Sequence, residues 1–341
     1  MKKNLIIAAM LALSAGSMQA ASPKKVTPEQ KGVAVINKAT AEAHIEFLAS
    51  DELEGREAGW KGGKIAGNYI ISCLKQMGLK PLFEDYVQPF EVCHAERQKK
   101  GKRWQWHPDS ISQLKKGVHE SLKLRNVLAK IDGKNPNEVV VIGAHYDHIG
   151  YDPMLDGDQI YNGADDNASG VQAVLQVAKA FLATGEKPER TVIFAFWDGE
   201  EKGLLGSRYF TYTYPDMGKI KGYLNYDMIG RDMDNSPQNN QHVVYFYTAA
   251  HKVFEEWLKK DIVDFNLKLT PNYRAWENPV GGSDNGSFAA YNVPVIWYHT
   301  NGHPDYHMPT DHTDRLNWSK MIDITKASFL AMWKLANEEK Y

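Results

Sequence analysis

The chain has 341 residues, of which 43% are hydrophobic and 11% aromatic, and its formal net charge is -2 at pH 7. A chain of this length and composition can bury a sizeable core, as one large domain or as two small ones. The near-neutral charge argues against an extended surface for nucleic acid. The local basic cluster at 97–103 (RQKKGKR) is interpreted as a solvated loop.

The first 20 residues have the features of a secretory signal peptide. Lys2 and Lys3 precede an apolar run at 6–13 that is too short to span a bilayer, and small residues follow up to Ala20. We therefore expect cleavage near Ala20 and export to the periplasm or the medium. No cysteine follows the apolar run, so no lipid anchor and no stable membrane attachment are expected.

The two cysteines leave the question of a disulfide open. Cys73 and Cys93 are the only ones in the chain, and an exported protein meets oxidising conditions in which they could pair. Two separate buried thiols are equally compatible with the sequence, because spacing alone does not show whether the two Cα atoms lie within bonding range.

The first third of the chain is predicted to lead into one large domain at 40–341. Residues 21–39 are polar and contain prolines, which indicates a loose lead-in segment. Apolar residues at helical spacing predict helices from Thr40 and over 64–77. The stretch around 84–127 is the least regular, and we interpret it as a short excursion of strands and loops because it is too small to form a core of its own.

From residue 137 onward, strand and helix patterns alternate regularly. Such alternation, with strongly apolar strands, predicts an α/β fold with three α/β/α layers, in which helices cover both faces of a mixed, largely parallel central sheet. The strands are predicted at 139–144, 191–197, 223–228, 243–248 and 293–298, and the helices at 169–182, 203–210, 253–258 and 319–337.

Six side chains of the kind that bind metal ions stand where these apolar runs stop or where a turn begins. They are His145, Asp166, Glu200, Glu201, Asp227 and His307. The carboxyl ends of parallel strands meet at one edge of a sheet, so we expect these residues to gather there. Imidazoles and carboxylates suit zinc, and the set is large enough for two ions with one carboxylate left to carry protons. The pattern predicts a metal-dependent hydrolase.

Local sequence suggests how this set is arranged. Asp147 stands two residues after His145 and is a candidate acceptor for the second ring N–H of that histidine. Asp166 lies in a turn rich in glycine and alanine that suits a carboxylate held between two cations, although an N-terminal helix cap is the alternative. Of the adjacent Glu200 and Glu201, one can bind a metal while the other handles protons.

Five segments together resemble the secreted bacterial di-zinc aminopeptidases of the leucyl aminopeptidase type, which are related to glutamate carboxypeptidase and to animal-type glutaminyl cyclase. The segments are HYD (145–147), GADDNASG (163–170), GEEKGLLGS (199–207), DMIG (227–230) and YHMPTD (306–311). The resemblance extends from about residue 48 to the C-terminal helix. It implies a zinc-exopeptidase fold. The stretch before the strand at 139–144 is too short for the protease-associated domain that larger members insert there.

The resemblance also implies a role for each site residue. It makes Asp166 a bridge between two zinc ions and Glu200 the general base, and it gives Tyr306 an oxyanion-stabilising hydroxyl. The implied metal ligands are His145, Asp166, Glu201, Asp227 and His307. It further implies a cis peptide bond at Asp166–Asn167. Asn285 stands where the family often has histidine, which is a departure from the pattern.

The implied function is hydrolysis of N-terminal residues from peptides that have a free N-terminus. Three alternatives remain open: a single-zinc acyltransferase like glutaminyl cyclase, a carboxypeptidase or dipeptidase of the same fold, and a non-catalytic binding ectodomain. His303 and Asp311 have either a role behind the metal ligands or a structural role in their loop. No sequence feature specifies an oligomeric state.

Overall fold

Alternating helices and strands follow the chain through the computed structural model, which describes residues 25–95, 103–232, 241–277 and 281–341. The predicted signal peptide and residues 97–102 of the basic cluster lie outside these described residues. The helices are α1 (Pro28–Ala34), α2 (Lys38–Leu48), α3 (Lys61–Gln76), α4 (Pro108–Leu114), α5 (Gly170–Thr184), α6 (Leu205–Thr213), α7 (Val253–Asp264), α8 (Asn285–Ala289) and α9 (Trp318–Asn337). The strands are β1 (Lys80–Pro81), β2 (Val87–Ala95), β3 (His119–Ile131), β4 (Asn135–His145), β5 (Arg190–Trp197), β6 (Ile220–Tyr226), β7 (His242–Thr248), β8 (Thr270–Trp276) and β9 (Val295–His299).

These strands form one mixed sheet, which confirms the predicted α/β fold. The order across the sheet is β1-β3-β5-β4-β6-β9-β7-β8, and β2 pairs with β3 outside this path. The four central strands β5, β4, β6 and β9 are parallel. Antiparallel pairing occurs where β3 joins β5 and where β7 joins β9. The parallel centre therefore brings the carboxyl ends of four strands to one edge.

Side chains of successive residues in the central strands enter two separate cores. In β4, Val140 and Ile142 belong to the core beneath α5 and α9, whereas Val139 and Val141 belong to the core beneath α6 and α8. All of them are nearly or fully buried, and burying a side chain of this size stabilises the fold by about 1.5–3 kcal/mol. Helices thus cover both faces of the sheet, as the unbroken apolar runs predict.

The segment around 84–127, which is predicted as a short irregular excursion of strands and loops, contains a long antiparallel hairpin. β2 and β3 pair without interruption from Val87 opposite Val127 to Ala95 opposite His119, with α4 between the strands. The distal part of β3 is polar and exposed, which hides its strand character, whereas Leu128 is fully buried where β3 pairs with β5. The hairpin is therefore an extension of the central sheet.

The predicted loose lead-in contains the unpredicted helix α1. Thr27 caps its first turn in a capping box with Gln30. The helix packs against α5 and α9 through Gly32, where an added Cβ would lie 2.1 Å from Cζ of Phe329. The sequence gives little sign of this packing, because the buried position of α1 is a glycine and Val33 is only partly buried.

The structure also bears on the two cysteines and on membrane-spanning helices. Cys73 and Cys93 are both free thiols, and Cys93 Sγ lies 2.9 Å from Ser121 Oγ, so the structure has the separate-thiol alternative. Among the helices of the described residues, none combines the length and the apolar character that crossing a membrane requires.

The close approach at Gly32 provides a test of the α1 packing. Replacing Gly32 with valine should lower the free energy of unfolding by about 1–3 kcal/mol, because the new side chain collides with the Phe329 ring. Urea denaturation would measure the change. Valine at Ala34, an exposed position of the same helix, is the matched control and should change stability by less than about 0.5 kcal/mol. Equal stabilities of the two variants would contradict the packing.

Candidate metal centre

Strand ends and two adjoining turns bring the six predicted residues together at one edge of the sheet. His145 is the last residue of β4, the two glutamates follow β5 by a short turn, and Asp227 follows β6 directly. Asp166 comes from the turn that precedes α5, and His307 comes from the loop after β9. The gathering follows from the parallel pairing of β5, β4, β6 and β9, whose carboxyl ends point the same way.

The first group of donors is His145, Asp166 and Asp227. His145 Nε2 lies 3.3 Å from Asp166 Oδ1 and 3.7 Å from Asp227 Oδ1. This nitrogen is buried and makes no hydrogen bond to any described residue. Buried polar atoms are normally satisfied, so an unsatisfied nitrogen facing carboxylate oxygens marks a position that suits a cation.

The second group of donors shares Asp166 with the first and adds His148, Glu201 and His307. His307 Nε2 lies 3.2 Å from Asp166 Oδ2 and 3.2 Å from Glu201 Oε2. Ligands of one tetrahedral zinc ion are about 3.3–3.5 Å apart, since each bond is about 2.0–2.2 Å long. The two oxygens of Asp166 thus face different histidines, as expected of a carboxylate between two cations.

The donor groups contain one residue that sequence reasoning missed. His148 is fully buried, and its Nδ1 lies 2.8 Å from Glu201 Oε1. The signal for it was present in the sequence GAHYDH, which carries a second imidazole three residues after His145 at the same strand end.

Asp147 holds the turn that carries both glutamates. Its carboxylate accepts the backbone N–H of Glu200 at 3.0 Å and that of Glu201 at 3.4 Å. The carboxylate of Asp147 was the expected partner of His145, but the ring contacts the main chain of Asp147 instead. His145 Nδ1 lies 3.1 Å from the Asp147 carbonyl oxygen and 3.8 Å from the Asp147 carboxylate. The physical reason is that two backbone donors already occupy the carboxylate oxygens.

The turn that carries Asp166 is fixed by the backbone and by Asp311. The Asp166–Asn167 peptide bond is cis, as predicted. The Asp311 carboxylate accepts the N–H groups of Asp165 at 3.0 Å and Asp166 at 3.1 Å, so this residue has a structural role behind the donors. Gly163 has φ of 58°, and an added Cβ would lie 2.1 Å from the Asp166 carbonyl oxygen, so only glycine fits there.

A buried arginine holds the other side of this turn. The Arg56 guanidinium donates to the carbonyls of Asn162 at 2.5 Å, Gly163 at 3.0 Å and Asp166 at 3.4 Å. It also donates to the carbonyl of Tyr146 at 3.1 Å, next to His145. Burial lowers the pKa of Arg56 to about 10 against the opposing effect of nearby carboxylates, and the side chain retains its positive charge at neutral pH.

His303 and Asp165 form a further support. His303 Nε2 lies 3.2 Å from Asp165 Oδ2, and Asp165 Oδ1 accepts the N–H of Gly230 at 2.6 Å. The contact connects the loop after β9, the loop after β6 and the turn before α5. His303 therefore contacts a neighbour of Asp166 rather than the donors themselves.

A cavity of about 270 Å³ opens onto the donors. Tyr306 lies at its rim, 44% exposed, with its ring stacked on that of His307 at 3.9 Å between centroids. Asn285 is buried at the start of α8, where its amide donates to the Gly281 carbonyl at 3.3 Å. The cavity is lined by Asp166, Glu200, Asp227, Met228, Gly282, Trp297, His299, Gly302, Tyr306 and His307.

The crowding of acids sets the protonation of the centre. Burial raises the pKa of Glu200 well above its ordinary value, and the nearby carboxylates of Asp227 and Glu201 act in the same direction. Burial opposes ionisation of Asp166 as well, but the imidazoles of His148, His145 and His307 hold its pKa well below the usual range. The carboxylates of the centre therefore lie so close together that protons or metal cations must balance their negative charge.

This protonation makes the stability of the metal-free protein depend on pH. Burial alone would lower the pKa of His307, but Asp166 and Glu201 raise it to about 10 from 6.5. Because the folded pKa exceeds the unfolded one, the stabilisation is complete below about pH 6.5 and is lost as the pH rises through about 10. The melting temperature of chelator-treated protein should therefore fall between pH 7 and 10, with a shallower fall in His307→Ala. Parallel curves for the two proteins would contradict this assignment.

Known proteins match the chain in both sequence and fold. The model of Peptidase family M28 matches residues 126–332. Leupeptin-inactivating enzyme 1 of Streptomyces exfoliatus is 38% identical over 107 residues, which are 31% of this chain and 22% of that protein. Probable leucine aminopeptidase 2 of Arthroderma benhamiae is 41% identical over 175 residues, which are 50% of this chain and 32% of that protein.

The chain thus spans less than a third of the length of these curated relatives. Among solved structures, the LapA aminopeptidase of Legionella pneumophila superposes with a TM-score of 0.67 at 21% identity, covering 99% of this chain and 81% of that one. At this identity the superposition shows a shared fold. The family match covers well over half of the chain, including the donors from His145 to His307, and the chain belongs to Peptidase family M28.

Proposed function

We propose that this protein is a zinc-dependent aminopeptidase that removes N-terminal residues from peptides with a free N-terminus. The observation that carries the proposal is the pair of donor groups that share the Asp166 carboxylate, with Glu200 beside them in the same cavity. Membership of a peptidase family and the names of the matched relatives support the same reaction.

The donors fit two zinc ions. His145 and Asp227 would hold one ion, Glu201 and His307 would hold the other, and Asp166 would bridge them. Imidazole nitrogens and carboxylate oxygens are ordinary zinc ligands, and the unsatisfied His145 Nε2 supports a cation at that position. Two bound ions would polarise the scissile carbonyl and make a water molecule acidic enough to attack it at neutral pH.

Glu200 is the proposed general base. It lies in the cavity, and its backbone is held by Asp147, so the carboxylate has a fixed place beside the donors. Glu200 would accept a proton from the attacking water and pass it to the leaving amine nitrogen as the peptide C–N bond breaks. The products are a free amino acid and a shortened peptide. A carboxylate whose pKa is raised by burial suits both halves of this transfer, because it holds a proton more readily than an ordinary glutamate does.

The other cavity residues orient the substrate. Asp166 and Asp227 line the cavity, where a carboxylate oxygen would accept an N–H of the free amine at a peptide N-terminus. Tyr306 lies at the rim beside His307, where its hydroxyl would donate to the oxygen of the tetrahedral intermediate. Two complete donor groups favour this hydrolase over a single-zinc acyltransferase.

We also propose that residues 1–20 are a signal peptide and that 40–341 act as one catalytic domain after export. The charged start, the short apolar run and the small residues up to Ala20 support the first part. The single sheet that runs through the described residues of this range supports the second.

Replacing Glu200 with glutamine tests the general base. Glutamine has nearly the same shape but does not accept the proton, so kcat should fall by about 10²–10⁴-fold while the zinc content stays the same. Peptide turnover and zinc analysis of the purified variant give the two values. Glu189→Gln, which changes a surface glutamate paired with Lys134, is the matched control and should keep full activity. Near-normal turnover in Glu200→Gln would remove this residue from the role.

Blocking the substrate amine tests the exopeptidase assignment. A panel of aminoacyl-4-nitroanilides should be cleaved, and acetylation of the amine should lower kcat/KM by about 10- to 100-fold or more, because a charged hydrogen bond is worth about 1.5–3 kcal/mol. Equal cleavage of free and acetylated substrates would argue against an enzyme that reads the free N-terminus.

A further inference from the structure

The two oxygens of Glu201 face two different histidines. His307 Nε2 lies 3.2 Å from Oε2, and His148 Nδ1 lies 2.8 Å from Oε1. Glu201 is therefore held between an imidazole of the loop after β9 and one that immediately follows β4. The proposed reaction assigns no part to His148.

The His148 ring has little freedom to turn away. The residue is 1% exposed, and its backbone N–H donates to the Arg56 carbonyl at 3.3 Å. An added Cβ on Gly163 would lie 2.6 Å from its Cδ2, so the backbone of the Asp166 turn lies close against the ring. The ring also contacts that of His307 edge-on, at 5.7 Å between centroids. The contact with Glu201 is thus set by packing on several sides.

The distances favour a hydrogen bond over joint coordination by His148 and Glu201. A separation of 2.8 Å is that of a charge-assisted N–H···O bond. It is shorter than the roughly 3.3–3.5 Å between two ligands of a tetrahedral zinc ion. His148 Nδ1 is also 3.8 Å from Asp166 Oδ2, farther than the 3.2 Å between His307 Nε2 and the same oxygen.

The composition of the two donor groups also favours a hydrogen-bonding role for His148. Without His148, each group has one imidazole, one carboxylate of its own and a share of Asp166. With His148 as a ligand, one group would have two imidazoles and the other only one. A hydrogen-bonding role leaves the two groups equivalent in their donors.

We infer that His148 is a positioning residue, whose Nδ1–H holds Oε1 of Glu201 and leaves Oε2 as the single metal-binding oxygen on the His307 side. This inference rests on the proposed metal centre. The ring is then the neutral tautomer with a proton on Nδ1, and Nε2, which has no hydrogen-bond partner among the described residues, is an unprotonated acceptor. Partners of this kind typically affect metal affinity by about 10–100-fold.

Two substitutions separate positioning from coordination. His148→Asn places an amide N–H close to the position of Nδ1 but has no imidazole, whereas His148→Ala removes the donor. We expect the alanine variant to bind the second zinc ion about 10–100-fold more weakly in a chelator competition, with the first ion unaffected. We expect the asparagine variant to bind both ions like the unmodified protein. The visible spectrum of its cobalt-substituted form should also match that of the unmodified protein, because no ligand is lost.

His94→Ala is the matched control for removing a buried histidine that contacts a carboxylate. His94 is 3% exposed, and its Nε2 lies 2.8 Å from Glu120 in the β2–β3 hairpin, outside both donor groups. This variant should bind both zinc ions normally.

The outcomes differ clearly. Weakened binding and an altered cobalt spectrum in His148→Asn would make His148 a ligand and overturn the inference, as would unchanged zinc affinity in His148→Ala. If the alanine variant does not fold, the asparagine variant decides alone. An unmodified protein that binds no zinc would overturn the proposed function together with the inference, whereas a failure confined to the His148 variants leaves the function standing.

Discussion

The buried guanidinium of Arg56 is the interaction on which the centre depends. It joins the end of α2, the end of β4 and the turn that carries Asp166 by donating to main-chain carbonyls of all three. These segments are distant in sequence, and nothing else among the contacts described above connects them at a single point. A buried cation is costly unless its hydrogen bonds are satisfied, and here carbonyl oxygens accept them while the acids of the centre offset the charge.

The predictable part of the centre follows from the parallel strands. His145, Glu200, Glu201 and Asp227 stand at or just after strand ends, and the sequence shows both the apolar strands and the polar residues that follow them. Arg56 was not predicted because its partners are backbone carbonyls, which every residue has. Asp147 was expected to bond to His145, and the contact of His148 with Glu201 was not predicted. Both residues contact the turn after β5, and the path of that turn is not visible in the sequence.

The errors in the fold have the same origin. The regular pairing of β2 with β3 was not predicted because the outer half of β3 is exposed and polar, so that strand has no apolar face there. Helix α1 was missed because its buried residue is Gly32, which has no side chain to mark a buried face. β8 was not predicted, and its burial pattern is mostly exposed at the edge of the sheet. Periodicity in a sequence reports on side chains that are buried on one side, and these elements lack that feature.

His307 is the last of the donors in chain order, which has a consequence for biosynthesis. The sheet needs β9 to join β6 and β7, and the second donor group needs the loop that follows β9. A chain still attached to the ribosome exposes the acids of Asp166, Glu200, Glu201 and Asp227 long before their last histidine is made. The centre is therefore complete only once the loop after β9 has been made, and a chain that stops before this loop carries the carboxylates without the full set of imidazoles.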